Sequence, residues 1–294
     1  MSLPAGLFLI LAVAASWAGW WLLAAVVLAG CLAWVTGRSK PRGRGGELLA
    51  AVREWSLFVS SAAVPAAYLG SATASADITY VAVALVVVLV AVAADAFGAN
   101  RSDRSSRWPV ALLGVAAAAF VAVCVAIPPA ASTTASPEPF SPIGLIVAVV
   151  VVLPWLMGLS PVRLTIGTVA ALAVGAAALY QVGPVRLGLS VTSLRDVLAA
   201  ADAAALTPML VAVAVLAGLT SAVACAGRLR QAGNRLAGRD DTGRWRGATL
   251  VAVGGAGVWA AVFDPLPAVL LAGVVALIEV IHRLAGRAGA ADRG

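Results

Sequence analysis

The chain has 294 residues, of which 62% are hydrophobic and only 11% charged, with a mean hydropathy of +1.00. Soluble domains carry about 25% charged residues, so a water-soluble fold of this length would lack the polar groups to cover its surface. The net charge of +7 does not point to nucleic acid either, because the basic residues fall in short loops between apolar runs, which is how membrane topology is encoded.

In hydrocarbon every backbone N–H and C=O needs an internal partner, which leaves helices or a closed barrel. The apolar runs are about twice a barrel strand in length and do not alternate with polar residues, so they predict helices. Met1-Ser2-Leu3-Pro4 has no positively charged leader, and no removable signal peptide is expected. The first run, Leu3 to Val35, carries no charge. At 1.5 Å per residue it would span about 50 Å, too long for one crossing. The cluster Ser16-Trp17-Ala18-Gly19-Trp20-Trp21 predicts a break into two short helices, with the indoles at the interface.

Further spans are predicted at Trp55–Gly70, Ile78–Ala96, Trp108–Ile127, Ile143–Ser160, Leu164–Val182, Leu206–Ala226, Gly247–Phe263 and Pro267–Ile281. The reading is therefore an all-α polytopic membrane protein with about ten transmembrane helices. Of the 20 basic residues, only Arg186 and Arg195 fall on the side opposite the Arg-rich loops. The positive-inside rule then puts both termini in the cytoplasm, the host membrane being the inner (plasma) membrane of a bacterium. Usage rich in Ala, Val, Gly and Arg suggests a high-GC genome.

Between spans, residues 130–142 form a Pro/Ser/Thr-rich outer linker. Ser193 to Ala205 reads as a short amphipathic helix, capped by Ser193, with Leu194, Val197, Leu198 and Ala201 on one face. The Arg-rich loop 227–246 is expected to contact anionic lipid headgroups; a protein partner cannot be named.

Candidate chemistry is sparse. Cys31, Cys124 and Cys225 sit in separate apolar runs and read as small apolar filler; with the single His282 they form no metal pattern, and no cofactor is expected. No nucleophile–base pairing, P-loop or dinucleotide fingerprint is present, so an enzyme is not expected. Asp95 and Glu279 are intramembrane acidic candidates, with Arg101 and Arg283 as their expected basic neighbours. The run Leu153-Pro154-Trp155-Leu156-Met157-Gly158-Leu159-Ser160-Pro161 puts two prolines and a glycine into one predicted span. It reads either as an interrupted helix with freed carbonyls at a solute site or as a structural kink.

These residues resemble the amino acid–polyamine–organocation (APC) permeases, particularly the actinobacterial ones, over about residues 4–282. Pro4-Ala5-Gly6-Leu7-Phe8 resembles the unwound first helix of that family, and the run Trp21 to Gly30 its second. Asp95-Ala96-Phe97-Gly98-Ala99-Asn100-Arg101-Ser102 is similar to the turn between its fourth and fifth helices. Pro139 to Gly144 resembles the entry to the sixth, and Ser193 to Gly227 the short outer helix followed by the eighth. The resemblance implies a LeuT-type five-plus-five inverted repeat in a single membrane domain. Its parts would be a first repeat at about 3–127, an outer linker at 128–142, a second repeat at 143–282 and a cytoplasmic tail at 283–294. It implies a permease for an amino acid or related small solute, bound by Gly6, Pro154, Trp155, Gly158 and Ser160. Arg163-Leu164-Thr165-Ile166-Gly167 departs from the family's acidic motif after the sixth helix, which keeps open an alternative, a transport-inactive scaffold or accessory subunit.

Overall fold

A computed structural model describes residues 3–37, 43–71, 76–97, 107–128, 140–190, 192–237, 254–259 and 265–291. Outside them lie Arg101 and most of the Arg-rich loops, most of the outer linker, and much of the ninth predicted span. The described residues are almost all helical, with no strand among them. The first apolar stretch breaks where the tryptophans predict. Helix α1 (Leu3–Ala18) and α2 (Leu22–Gly37) are separated by a 3-10 turn at Gly19–Trp21. Gly19 takes φ +54, a left-handed conformation that a Cβ would oppose, while Trp20 and Trp21 stay exposed.

Helix α3 (Gly43–Gly70) starts well before its predicted boundary at Trp55, because nothing between Gly46 and Trp55 breaks a helix. Helices α4 (Ala76–Ala96) and α5 (Arg107–Ala126) match their predicted spans. Helix α6 (Pro142–Leu156) opens with Ser141 Oγ accepting from the Gly144 N–H at 3.1 Å. It ends four residues before the predicted limit, because Met157 turns extended and Gly158 takes φ +76. Ser160 and Pro161 then open α7 (Pro161–Gly188). The two prolines of the sixth span thus belong to different helices. Pro154 lies in the last turn of α6, and Pro161 takes the first turn of α7, where its missing N–H costs nothing.

Helix α7 kinks at Gly183 (φ 72, ψ 169), just before Pro184. Helix α8 (Ser193–Ala200) is the predicted amphipathic segment, although Ser193 is its first helical residue and Thr192 takes the cap position. Leu194, Val197, Leu198 and Ala201 are buried as expected. A 3-10 turn at Ala204–Leu206 leads into α9 (Thr207–Ala237), which runs past its predicted end through Arg228 and Arg230. A helical segment at 254–259 precedes α10 (Pro265–Ala291).

Contacts give the direction of these rods. Gly6 lies under Trp155 and Gly144 lies against the Trp17 carbonyl, so α1 and α6 are antiparallel. Gly175 of α7 meets both Leu11 and Leu22, while Gly188 meets Ser16 and Thr168 meets Gly30. Helix α1 therefore runs with α7 and α2 against it, so the chain reverses at the Gly19 turn. Pro65 of α3 is seated against Gly218 of α9, and Glu54 reaches Arg228, which makes that pair antiparallel. One end of the bundle, the charged end, collects Arg53, Asp95, Arg228, Arg230, Glu279 and Arg283. The opposite end holds Trp17, Gly144 and Ser71, whose hydroxyl accepts from Arg195 of α8 at 2.7 Å.

By length and apolarity, five stretches qualify as crossings where the sequence predicts about ten. They are Ile10–Gly37, Ile78–Ala96, Pro161–Gly188, Ala204–Leu236 and Pro265–Ala285. Ala111–Ala126 and Pro142–Leu156 are apolar but shorter, and α3 carries Arg44, Glu47, Arg53 and Glu54 in its first half. The first of the five contains the Gly19 reversal. The coarse class is an all-α protein of membrane type, its rods packed on one contiguous apolar core.

Candidate functional site: a buried ion-pair network

The α3 extension carries the next residues, Arg53 and Glu54, into the interior. Both are 6% exposed, and Glu279 of α10 is 0% exposed. Arg53 donates from Nη1 to Glu279 Oε2 at 2.5 Å and from Nη2 to Glu54 Oε1 at 3.1 Å. Glu54 Oε2 accepts from Arg228 Nε at 2.7 Å. Glu279 Oε1 accepts from Arg283 one helical turn further on, and Arg283 Nη1 donates to the Thr36 carbonyl of α2 at 3.2 Å. Arg53 Nη1 also lies 3.7 Å from the Met157 sulfur at the end of α6. Each carboxylate is held between two guanidiniums, and the network joins α2, α3, α9 and α10 and touches the end of α6.

Burying such groups is costly unless every charge is paired. Planar guanidiniums suit that task, because one fork can bridge two carboxylates. Here Arg53 bridges Glu54 and Glu279 at once. Among the described residues three cations of the network face two anions, and the Nε of Arg53 is buried without a hydrogen-bond partner. Arg228 is partly open, with 33% of its side chain exposed, so the network runs from the dry interior toward the surface.

Of the residues singled out from sequence, Glu279 lies at the centre and Arg283 is its partner as expected, while Arg53 is a second partner that the sequence did not suggest. Asp95 pairs with Arg230, Nε to Oδ2 at 2.8 Å, in a separate contact between α4 and α9; Arg101 is outside the described residues. Gly6 and Trp155 are brought together, so closely that a Cβ on Gly6 would stand 2.6 Å from the indole. Trp155 is fully buried, and its Nε1 has no partner among the described residues. Pro154 is buried beside it, whereas Gly158 and Ser160 stand exposed in the turn after α6. The indole therefore fills the notch above Gly6. All three cysteines are free, and Cys225 accepts a contact from Arg228 Nη2 at 3.3 Å.

Arg53, Glu54 and Arg228 are not among the sequence candidates, because charged residues beside an apolar run read as its end. The available signal was the unbroken helical stretch leading into Arg53-Glu54. A second buried polar anchor, also unforeseen, is Gln181 of α7. Its Nε2 donates to the Cys124 and Ile127 carbonyls, at 2.5 and 2.6 Å, tying down the end of α5. The fold and site define an all-helical bundle of membrane type with an ion-pair network at one end. No family model matches the chain, and no curated protein matches it.

Proposed function

We propose that the protein is a permease-like carrier of a small solute, an amino acid or a relative of one, in the inner membrane of a bacterium. In this reading the chain crosses about ten times, both termini are cytoplasmic, and the network closes the cytoplasmic end. The observation that carries it is the buried chain Arg228–Glu54–Arg53–Glu279–Arg283. Ionisable groups within a membrane protein are expensive and mark functional positions by default, and this set ties together helices that would have to part for a solute to leave.

A five-plus-five inverted repeat is part of this reading. Helices α1, α2, α6 and α7 pack as one group and α3, α4 and α9 as another, while α1 and α6 run in opposite directions as an inverted pair requires. The solute site would lie above the network, where Trp155 would have to leave Gly6, with Gly158 as the pivot. Uptake of mixed amino acids into proteoliposomes should be measurable, and both Glu279→Gln and Gly158→Ala should lower it several-fold. Absence of flux for every solute tested would refute the reading.

The alternative, a transport-inactive scaffold, is favoured by one specific observation: the fully buried indole already occupies the Gly6 notch. Solute flux by the purified chain alone would end that alternative. Arginines of the stretch 227–246 that make no internal pair remain candidates for anionic headgroups. Liposome flotation that survives their charge reversal would remove that role.

A further inference from the structure

Away from the network, a cavity of about 120 Å³ opens between α5 and α9, roofed by α8 and floored by α1 and α7. Its origin is legible in the chain. Helix α5 turns the small side chains of its alanine run, Ala116, Ala117 and Ala119, toward α9, so the two rods leave a gap that Phe8, Phe120 and Leu210 border but do not fill. The lining side chains are all apolar. Leu206 and Met209, at 39% and 58% exposure, form the lip, and Leu112 and Val115 of α5 are exposed nearby.

Two occupants, and vacancy itself, are disfavoured by this chemistry. Water needs two to four polar partners, and the lining side chains offer none. A polar solute would lose its hydrogen bonds on entering. An empty gap would leave the lining without dispersion contacts on one side. The exposed lip residues lie between two apolar rods, α5 and α9, and in the membrane setting proposed above the hydrocarbon of the bilayer would meet them.

We propose that this cavity is a resident site for one acyl chain of a membrane phospholipid, which completes the packing of α5 and α8 against α1 and α9. The chain enters from the side between α5 and α9 and ends against Phe8. Site and occupant are independent of whether the protein carries a solute.

The test uses the full chain in phospholipid vesicles containing a phospholipid with a diazirine at mid-chain. After photolysis, labelled peptides are mapped by mass spectrometry. Labelling of residues 111–126 and 206–213 should exceed that of the exposed α4 side chains Leu85, Val86, Leu89 and Val90 several-fold. Filling the gap with Ala117→Phe, or more gently with Ala116→Leu, should bring it down to the α4 level while helix content by circular dichroism is unchanged. Labelling no greater than on α4, or enrichment that persists in both folded variants, would overturn the proposal. So would a dimer that replaces the label and dissociates in the variants, since the occupant would then be a second copy of the chain.

Discussion

Two helix contacts in this bundle are held by opposite means. Where α3 meets α9 and α10 at the charged end, the joint is made by guanidiniums and carboxylates. Where α1 meets α6, it is made by the absence of side chains, Gly6 beneath an indole and Gly144 against a carbonyl. In lipid there is no hydrophobic drive between rods, so each pair must rely on close packing or on polar contacts. The steric joint tolerates no added atoms, and the charged one tolerates no missing partner.

That contrast can be broken at its strongest point first. Glu279→Ala should be the most damaging change, costing about 3–5 kcal/mol, because it removes the buried carboxylate that Arg53 and Arg283 share and leaves Arg53 with Glu54 as its remaining anion. Heat or denaturant unfolding in detergent micelles reads the loss. The paired change Arg53→Met with Glu279→Leu should cost clearly less than the sum of its two singles. On the steric side, Gly144→Val should cost about 1–3 kcal/mol through overpacking, with α1 pushed from α6. Full stability in this variant would show that the close approach is not what joins the two helices. Asp95→Asn, at the separate pair with Arg230, should cost less, on the order of 1 kcal/mol, because Asn stays neutral and can still accept from Arg230. A loss as large as that of Glu279→Ala would erase the distinction between the buried network and this separate pair.

Much of the architecture was legible in the chain. The break near Gly19, the span of α4, and the buried face of α8 follow from charge-free length, interfacial tryptophans and amphipathic spacing. Helix ends were less so. Arg53 reads as a loop charge because an isolated charge in hydrocarbon is costly, yet opposite charges that meet in three dimensions offset much of that cost. No sequence window contains residues 53, 228 and 279 together. Likewise Pro154 and Pro161 look like one interrupted span until Gly158 reverses the backbone between them. The closeness of Gly6 to Trp155 depends on the tertiary path, although both residues had been singled out.

The seat of Pro65 against Gly218 has a mechanical consequence when taken with the Glu54–Arg228 clasp. A peg at one height and a latch at another fix the register of α3 on α9. Side chains along a rod recur at its pitch, so a matching arrangement could be regained only after a shift of about 5.4 Å, and any lesser slide loses both fittings. These two helices therefore behave as a single spar, joined at two heights.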